Sequence, residues 1–212
     1  MVRPVTRRLI KQGAEASLYE IVASEPISEN TVEKIRIAKR YRSHELDEAL
    51  SVERLKTEAK LMAEARALGI SVPIIYDINL TERKLVMELI DGRMVKDILN
   101  SKYKNKRELC RNIGACIGTL HRNHIVHGDL TTSNMLLSND RLYFIDFSMG
   151  AKSKEIEEKG VDLHLLHEAF KSSHPTDPKL FESALKGYKS EYPDAHLVLD
   201  KMKEIEKRGR YT

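Results

Sequence analysis

Two short stretches of the sequence hold polar residues whose types and spacing could support phosphoryl transfer. They read HGDLTTSN at residues 127–134 and IDFS at residues 145–148. Phosphoryl transfer from a nucleotide needs one carboxylate to orient a hydroxyl or water, and a second carboxylate with an amide to hold Mg²⁺ on the phosphates. Asp129, Asn134 and Asp146 supply that set. Each residue alone is common in caps and turns, so the prediction depends on their combination.

Regular elements must position these side chains, and the apolar pattern predicts where those elements lie. Asn134 and Asp146 each adjoin a short apolar run that we expect to form a strand, at residues 135–137 and 142–145. Further strands are expected at residues 18–23, 31–37, 74–76 and 85–88. Helices are expected at residues 45–68, 107–124, 159–172, 178–190 and 194–208.

Helical spacing of apolar residues and boundary signals support several of these helices. The expected apolar face of the first is Leu46, Leu50, Leu61, Ala65 and Leu68, and that of the second is Leu109, Ile113, Ile117 and Leu120. Gly69 is a suitable C-terminal cap for the first helix, and Pro73 prevents its continuation. Asp177 and Pro178 predict the N-cap and first residue of the helix at 178–190.

The order of the elements predicts an α+β fold in two lobes. The Asp91-Gly92 pair interrupts the chain after the strand at residues 85–88, and we place the boundary there. Residues 1–90 are then a β-rich N-terminal lobe with one long helix. Residues 91–212 are a mainly helical lobe that ends in a basic tail.

Composition excludes several classes of protein. The 212 residues are 41% hydrophobic and 32% charged, which is typical of a globular chain. A net charge of +4 is too small to indicate nucleic-acid binding by itself. No apolar run approaches the roughly 18 residues that a membrane span needs, so no membrane association is expected. Cys110 and Cys116 form no CxxC pair, which argues against a disulfide scaffold or zinc ribbon and favours a reducing, cytoplasmic location.

With these motifs the chain resembles the protein-kinase superfamily. It is most similar to the small atypical serine/threonine kinase subunit of the KEOPS complex, which makes threonylcarbamoyladenosine in tRNA. The stretches that carry the closer resemblance run from one end of the chain to the other: QGAEA (12–16), KRYRSHELD (39–47), HGDLTTSNMLL (127–137), IDFS (145–148), KGVDL (159–163) and KRGR (207–210). The resemblance implies a two-lobed, kinase-like fold with a reduced C-terminal lobe.

The resemblance also implies which residues of the N-terminal lobe bind ATP. Lys34 corresponds to the lysine that holds the α and β phosphates, with Lys39 as a rival. Glu58 corresponds to its ion-pair partner on the long helix, with Glu53 and Glu64 as rivals. The phosphate-covering loop would contain Gly13, Ala14 and Glu15. Met87 would be the gatekeeper, and the backbones of Glu88 and Ile90 would pair with adenine.

The C-terminal lobe would supply the remaining contacts to Mg²⁺-ATP. Asp129 resembles the catalytic aspartate, while Asn134 and Asp146 resemble the magnesium ligands. Leu136 would form the floor beneath the base. Asp162 resembles the buried aspartate of the first large helix that follows.

Several residues depart from the kinase pattern, and these departures restrict the reactions that we expect the chain to catalyse. The phosphate-covering loop has a single glycine, and Glu15 would repel phosphates, which implies that the loop gates ATP. Gly128, Thr131 and Ser148 replace the usual arginine, lysine and glycine, and no A-P-E motif lies between Asp146 and Asp162. We therefore expect ATP binding without typical peptide phosphorylation.

Two functions from different classes remain open. The first is an ATP-binding kinase or ATPase subunit of KEOPS, with the tRNA threonylcarbamoyltransferase subunit, the other KEOPS subunits and tRNA as partners. In that case Lys207, Arg208 and Arg210 could contact tRNA phosphates, or they could belong to a solvated helix end. The second is a small-molecule phosphotransferase of the aminoglycoside or choline kinase type, for which few residues follow Asp146.

Overall fold

The structure, a computed structural model, describes residues 6–13, 16–22, 31–37 and 43–209. The described chain divides into two compact units. The first contains the described parts of residues 1–59 and 73–91, and the second contains residues 60–72 and the described part of 92–212. Strands and helices together make the fold α+β, as the sequence predicts.

An antiparallel five-stranded sheet with the order β1-β2-β3-β5-β4 forms the first unit, together with the N-terminal part of helix α1. Its elements are β1 (Thr6–Gln12), β2 (Ala16–Val22), β3 (Thr31–Arg36), α1 (His44–Ala67), β4 (Ile75–Asn79) and β5 (Lys84–Glu88). The core of this unit is Leu55 and Ala59 of α1 packed with Leu85 of β5. Because neighbouring residues of a strand face opposite sides, Lys34 and Arg36 of β3 point to the same side of the sheet.

The buried stripe of α1 differs from the predicted one. Leu46 was expected on the apolar face, but it is 53% exposed, whereas Leu55 is fully buried. The prediction was wrong at this end because the buried face carries polar residues, namely Asp47, Ser51 and Glu58. The C-terminal end is as predicted: Gly69 has a φ of +83°. The Ile70 N–H donates to the Ala65 carbonyl at 3.1 Å, which closes the last turn.

The described part of the second unit consists of the C-terminal part of α1, five further helices and two small sheets. These further helices and strands are β6 (Arg93–Met94), α2 (Val95–Asn100), α3 (Lys106–Arg122), β7 (Ile125–Val126), β8 (Met135–Ser138), β9 (Arg141–Phe144), β10 (Ala151–Lys152), α4 (Ile156–Ser173), α5 (Lys179–Glu191) and α6 (Ala195–Gly209). The sheets have the orders β6-β8-β9 and β7-β10. The predicted face of α3 is confirmed, since Leu109, Ile113, Ile117 and Leu120 are all buried.

Helices α3 and α5 pack so closely that glycine is required at their contact. A Cβ built on Gly114 would overlap the Ala184 carbonyl, and one on Gly187 would overlap the Arg111 carbonyl. Helix α5 begins at Lys179, so Pro178 precedes it and is not its first residue. The Asp177 carboxylate still accepts the Lys179 N–H at 3.2 Å, which is the capping contact that the sequence indicates.

Candidate active site

In the first unit, Lys34 and Glu58 form the ion pair that the sequence predicts. Lys34 Nζ donates to Glu58 Oε1 at 2.6 Å, and the two residues are 5% and 1% exposed. The rival carboxylates lie elsewhere: Glu53 is exposed, and Glu64 pairs with Lys152 at 2.6 Å. Lys39 lies outside the described residues. A lysine held this way presents an ordered positive charge, because its carboxylate partner restricts the side chain.

A second cation that the sequence analysis missed also contacts Glu58. Arg36 Nη2 donates to Glu58 Oε2 at 3.1 Å, and Arg36 is 5% exposed. The two oxygens of one buried carboxylate are therefore divided between two side chains of β3. The period of two along a strand is a signal that could have identified Arg36, because it places Arg36 on the same face as Lys34.

The predicted adenine-binding segment comprises the last two residues of β5 and the residues that follow them. Met87 is partly buried against the core of the first unit. The Glu88 N–H donates to the Ile74 carbonyl at 2.8 Å, so this donor already serves the fold. The Glu88 carboxylate in turn accepts the Ile74 N–H at 3.0 Å. Ile90 follows in irregular backbone and is partly buried.

In the second unit, Asp129 and Asn134 contact each other directly. Asn134 Nδ2 donates to Asp129 Oδ2 at 2.8 Å and to the Asp129 carbonyl at 3.0 Å. The amide nitrogen is thereby used within the loop, and Oδ1 is the atom of Asn134 that can act as a metal ligand. Both residues are only partly buried.

Backbone pairing brings Asp146 next to this loop. The Ile145 N–H donates to the Asn134 carbonyl at 3.0 Å, at the edge where β8 begins and β9 has ended. Asp146 follows with a φ of +65°, an uncommon backbone conformation for a residue other than glycine. The structure therefore gathers the three predicted residues of the second unit at one strand edge, where they supply two carboxylates and one amide oxygen.

His127 connects the two stretches from the buried side. Its Nε2 lies 3.2 Å from the Ile145 carbonyl, and its Nδ1 accepts the Asp129 N–H at 3.4 Å. These partners require the proton on Nε2 and the lone pair on Nδ1, which is the neutral imidazole. Burial lowers the pKa of His127, which favours that neutral form.

Asp162 of α4 fixes the backbone before Asp129. Its Oδ2 accepts the His127 N–H at 2.7 Å and its Oδ1 accepts the Gly128 N–H at 2.9 Å. Asp162 is 1% exposed. The same carboxylate lies 3.2 Å from His121 Nε2, and Tyr188 Oη lies 2.9 Å from His121 Nδ1. Burial raises the pKa of Tyr188, so its hydroxyl stays protonated.

The backbone at Gly128 accounts for one departure from the kinase pattern. Gly128 has a φ of +80°, and an added Cβ would overlap the Met149 carbonyl. No arginine could replace it in this conformation without movement of the segment that contains Met149. Between Asp146 and α4 the described chain contains one tight turn and the two-residue strand β10. The segment that binds peptides in typical kinases is correspondingly short.

The other predicted residues fall into three groups. Gly13 follows β1 and its N–H donates to the Ala16 carbonyl at 2.9 Å, while Ala14 and Glu15 lie outside the described residues. Leu136 lies on β8, partly buried. In the tail, Lys207 is exposed and Arg208 pairs with Glu157 at 2.6 Å, whereas Arg210 lies outside the described residues.

Known proteins that resemble this chain in sequence or in fold include kinases, in agreement with the arrangement of these residues. A family model described as the RIO domain matches residues 22–168. The fold is similar to that of Rio2 kinase from Chaetomium thermophilum, with a TM-score of 0.69 at 18% identity over 97% of this chain and 74% of that one. A second structure of that kinase, a complex with ADP, Mg²⁺ and phosphoaspartate, has a TM-score of 0.68 at 17% identity over 98% of this chain and 72% of that one.

Sequence relatives define the family more narrowly. The KEOPS complex subunit Bud32 of Pyrococcus abyssi is 41% identical over 96% of this chain and 96% of its own length. A probable bifunctional tRNA threonylcarbamoyladenosine biosynthesis protein of Methanosarcina barkeri is 42% identical over 96% of this chain. The chain spans only 36% of that longer relative. The chain belongs to the RIO-domain family and, within it, to the Bud32 proteins. None of the described helices is long and apolar enough to cross a membrane.

Proposed function

We propose that the chain binds Mg²⁺-ATP and hydrolyses it as the atypical kinase subunit of a KEOPS-type complex. The observation that carries this proposal is the joined arrangement of Asp129, Asn134 and Asp146 at one strand edge of the second unit. The family supports the kinase class. The names of the relatives support the pathway, whereas they give no support to an aminoglycoside or choline kinase.

The first unit would bind the nucleotide through its phosphates and its base. Lys34, held by Glu58 at 2.6 Å, would hold the α and β phosphates. Because the Glu88 N–H is used by Ile74, the Glu88 carbonyl and the Ile90 backbone are the groups we assign to adenine. Met87 would limit the depth of the base site. Gly13, Ala14 and Glu15 would cover the phosphates.

The second unit would hold the metal and position the attacking group. Two carboxylates and an amide oxygen are hard oxygen donors, which is the ligand chemistry that Mg²⁺ prefers, so the residues present fit this ion. Asp146 and Asn134 Oδ1 would be the ligands, and the bound ion would neutralise charge on the phosphates. Asp129 would orient the attacking hydroxyl or water. Leu136 would support the base from below.

The acceptor of the phosphoryl group is more restricted than in a typical protein kinase. The segment between Asp146 and α4 is short, and Thr131 stands where a lysine usually touches the transferred phosphate. Both features favour water or a tethered hydroxyl over a docked peptide. We therefore assign ATP hydrolysis, and only slow serine or threonine phosphorylation, to this chain.

The pathway named for the relatives is the basis on which we propose partner subunits and tRNA as ligands of this chain. ATP hydrolysis by this chain would support the activity of the threonylcarbamoyltransferase subunit. Lys207, Arg208 and Arg210 would contact tRNA phosphates. Arg208 would have to leave Glu157 to do so, and this pair is exposed on both sides, with side chains 62% and 47% accessible. Exposed ion pairs are weak, so tRNA phosphate could compete for the arginine.

A panel of acceptors tests the proposal. Phosphate release and phosphoryl transfer from labelled ATP would be measured for the chain with tRNA and a threonylcarbamoyltransferase subunit, with peptides, and with aminoglycosides or choline. We expect slow ATP hydrolysis that rises with tRNA and the partner, and no rapid phosphorylation of small molecules. Fast phosphorylation of an aminoglycoside or choline, without stimulation by tRNA, would contradict the proposal.

A further inference from the structure

Glu58 is bound by two cations of the same strand, and the geometry differs from a simple lysine–glutamate pair. Lys34 contacts Oε1 at 2.6 Å, and Arg36 contacts Oε2 at 3.1 Å. All three side chains are at most 7% exposed. A carboxylate held at one oxygen can still rotate about its last bond, whereas one held at both oxygens cannot.

We propose that Arg36 is a positioning residue, which holds Glu58 in place so that Lys34 stays oriented for nucleotide phosphate before the nucleotide arrives. Lys34 and Arg36 are two residues apart on β3, so both anchors of Glu58 belong to one rigid strand. Any displacement of this part of α1 would have to break two charged contacts at once. This inference rests on the proposed function, since it assigns a role toward the phosphates of ATP.

Burial makes the second contact more consequential than a surface pair would be. A buried carboxylate is costly when its partners are removed, and a charge-assisted hydrogen bond is stronger than a neutral one. Without Arg36, the Oε2 atom of Glu58 loses this partner, and the carboxylate can turn away from Lys34. Lys34 would then lose its fixed orientation. Its interaction with nucleotide phosphate would weaken, whereas the contacts to adenine would be unchanged.

The chain offers a closely matched control on the same strand. Glu33 precedes Lys34 and therefore faces the opposite side of the sheet, where Arg7 contacts it at 2.6 Å. Glu33 is also buried, at 5% exposed. Arg7→Met thus removes one arginine from a buried carboxylate, as Arg36→Met does, but the carboxylate is that of Glu33 on the face of β3 away from Lys34.

Affinities for Mg²⁺-ADP and for adenosine distinguish a role of Arg36 in orienting Lys34 from a role in the stability of the fold. Adenosine has no phosphates, so only the affinity for ADP depends on the orientation of Lys34. For Arg36→Met we expect ADP affinity to fall about tenfold or more, the loss of one charge-assisted contact, with adenosine affinity unchanged. Arg36→Lys should restore most of the ADP affinity because it keeps a cation at Oε2. Arg7→Met should bind both ligands like the wild type.

Two further variants test whether Arg36 acts through Glu58 and whether the result depends on the shape of the substituted side chain. In a Glu58→Gln background, adding Arg36→Met should cost little extra ADP affinity, because Arg36 acts through Glu58. If Arg36→Met fails to fold, Arg36→Gln provides the same comparison with a smaller change of shape. Unchanged ADP affinity in folded Arg36→Met or Arg36→Gln, equal losses for ADP and adenosine, or full additivity with Glu58→Gln would each overturn the inference. A wild type that binds no ADP would instead contradict the proposed function.

Discussion

Replacing Asp162 by asparagine should weaken the backbone support of Asp129 by an amount that the contacts allow us to estimate. The Asp162 carboxylate accepts the N–H groups of His127 and Gly128 and lies within hydrogen-bond distance of His121. In asparagine one oxygen becomes an NH₂ group, so the least damaging orientation turns that group toward Gly128 and keeps the other two contacts. An N–H left without an acceptor costs about 1–3 kcal/mol, and the retained bonds lose charge assistance.

The uncharged side chain also removes the cost of burying a carboxylate, which offsets part of this loss. We therefore expect the free energy of unfolding to fall by about 2–3 kcal/mol, which a domain with about 5–15 kcal/mol survives. Loss of the contact to the Gly128 N–H should free the backbone that precedes Asp129. This should lower ATP turnover more than ATP affinity. Urea unfolding and steady-state phosphate release measure the two effects. Asp200→Asn is the control, because Asp200 is exposed and pairs with Lys203 at 3.0 Å.

An unfolding free energy of Asp162→Asn within about 0.5 kcal/mol of the wild type, as for an ordinary surface substitution, would refute this reasoning. So would a turnover that falls only in proportion to ATP affinity.

Three further predictions concern packing and ionisation. Gly187→Ala should force α3 and α5 apart and cost about 1–3 kcal/mol of unfolding free energy, against no such loss in exposed Lys186→Ala. Burial lowers the pKa of His174, so its stabilising effect is complete above the unfolded pKa of about 6.5 and is lost as the pH falls through the lower native pKa. Urea unfolding at pH 7.5 and pH 5.5 should show a larger acid loss for the wild type than for His174→Gln, and equal losses would contradict the assignment. Burial raises the pKa of Cys110 to about 12, so in a Cys116→Ser variant its thiol should react with a disulfide reagent at pH 8 only after unfolding; rapid reaction of the native variant would show an accessible thiolate.

The long helices and several of the strands were predictable from the sequence, and the two-residue strands were not. Helices α3 to α6 carry sustained apolar spacing, and their observed ends differ from the predicted ends by a few residues. Strands β6, β7 and β10 have two residues each and exist because of pairing with distant segments. No local pattern marks such pairs, since the hydrogen bonds that define them depend on the tertiary fold.

Within the site, residue type and spacing located the side chains but did not give their partners. The cluster from His127 to Asn134 was evident because polar residues of several kinds are concentrated there. Arg36 was missed because an arginine on a strand is usually solvated. The period of two places it on the face of Lys34, but its burial there depends on the position of Glu58 on α1. The glycines of α3 and α5 were missed for a similar reason, since the close approach of two helices decides their importance.

Metal-dependent ATP turnover by Asp146→Asn tests the central claim most directly. The claim is that Asp146 and Asn134 hold Mg²⁺ on ATP while Asp129 orients the attacking group. Turnover should be measured with tRNA and a threonylcarbamoyltransferase subunit present, with cooperative unfolding as a check of the fold. We predict a loss of about 10²-fold or more, because asparagine lacks the charge that the metal requires. Wild-type turnover by the folded Asp146→Asn protein would contradict the account.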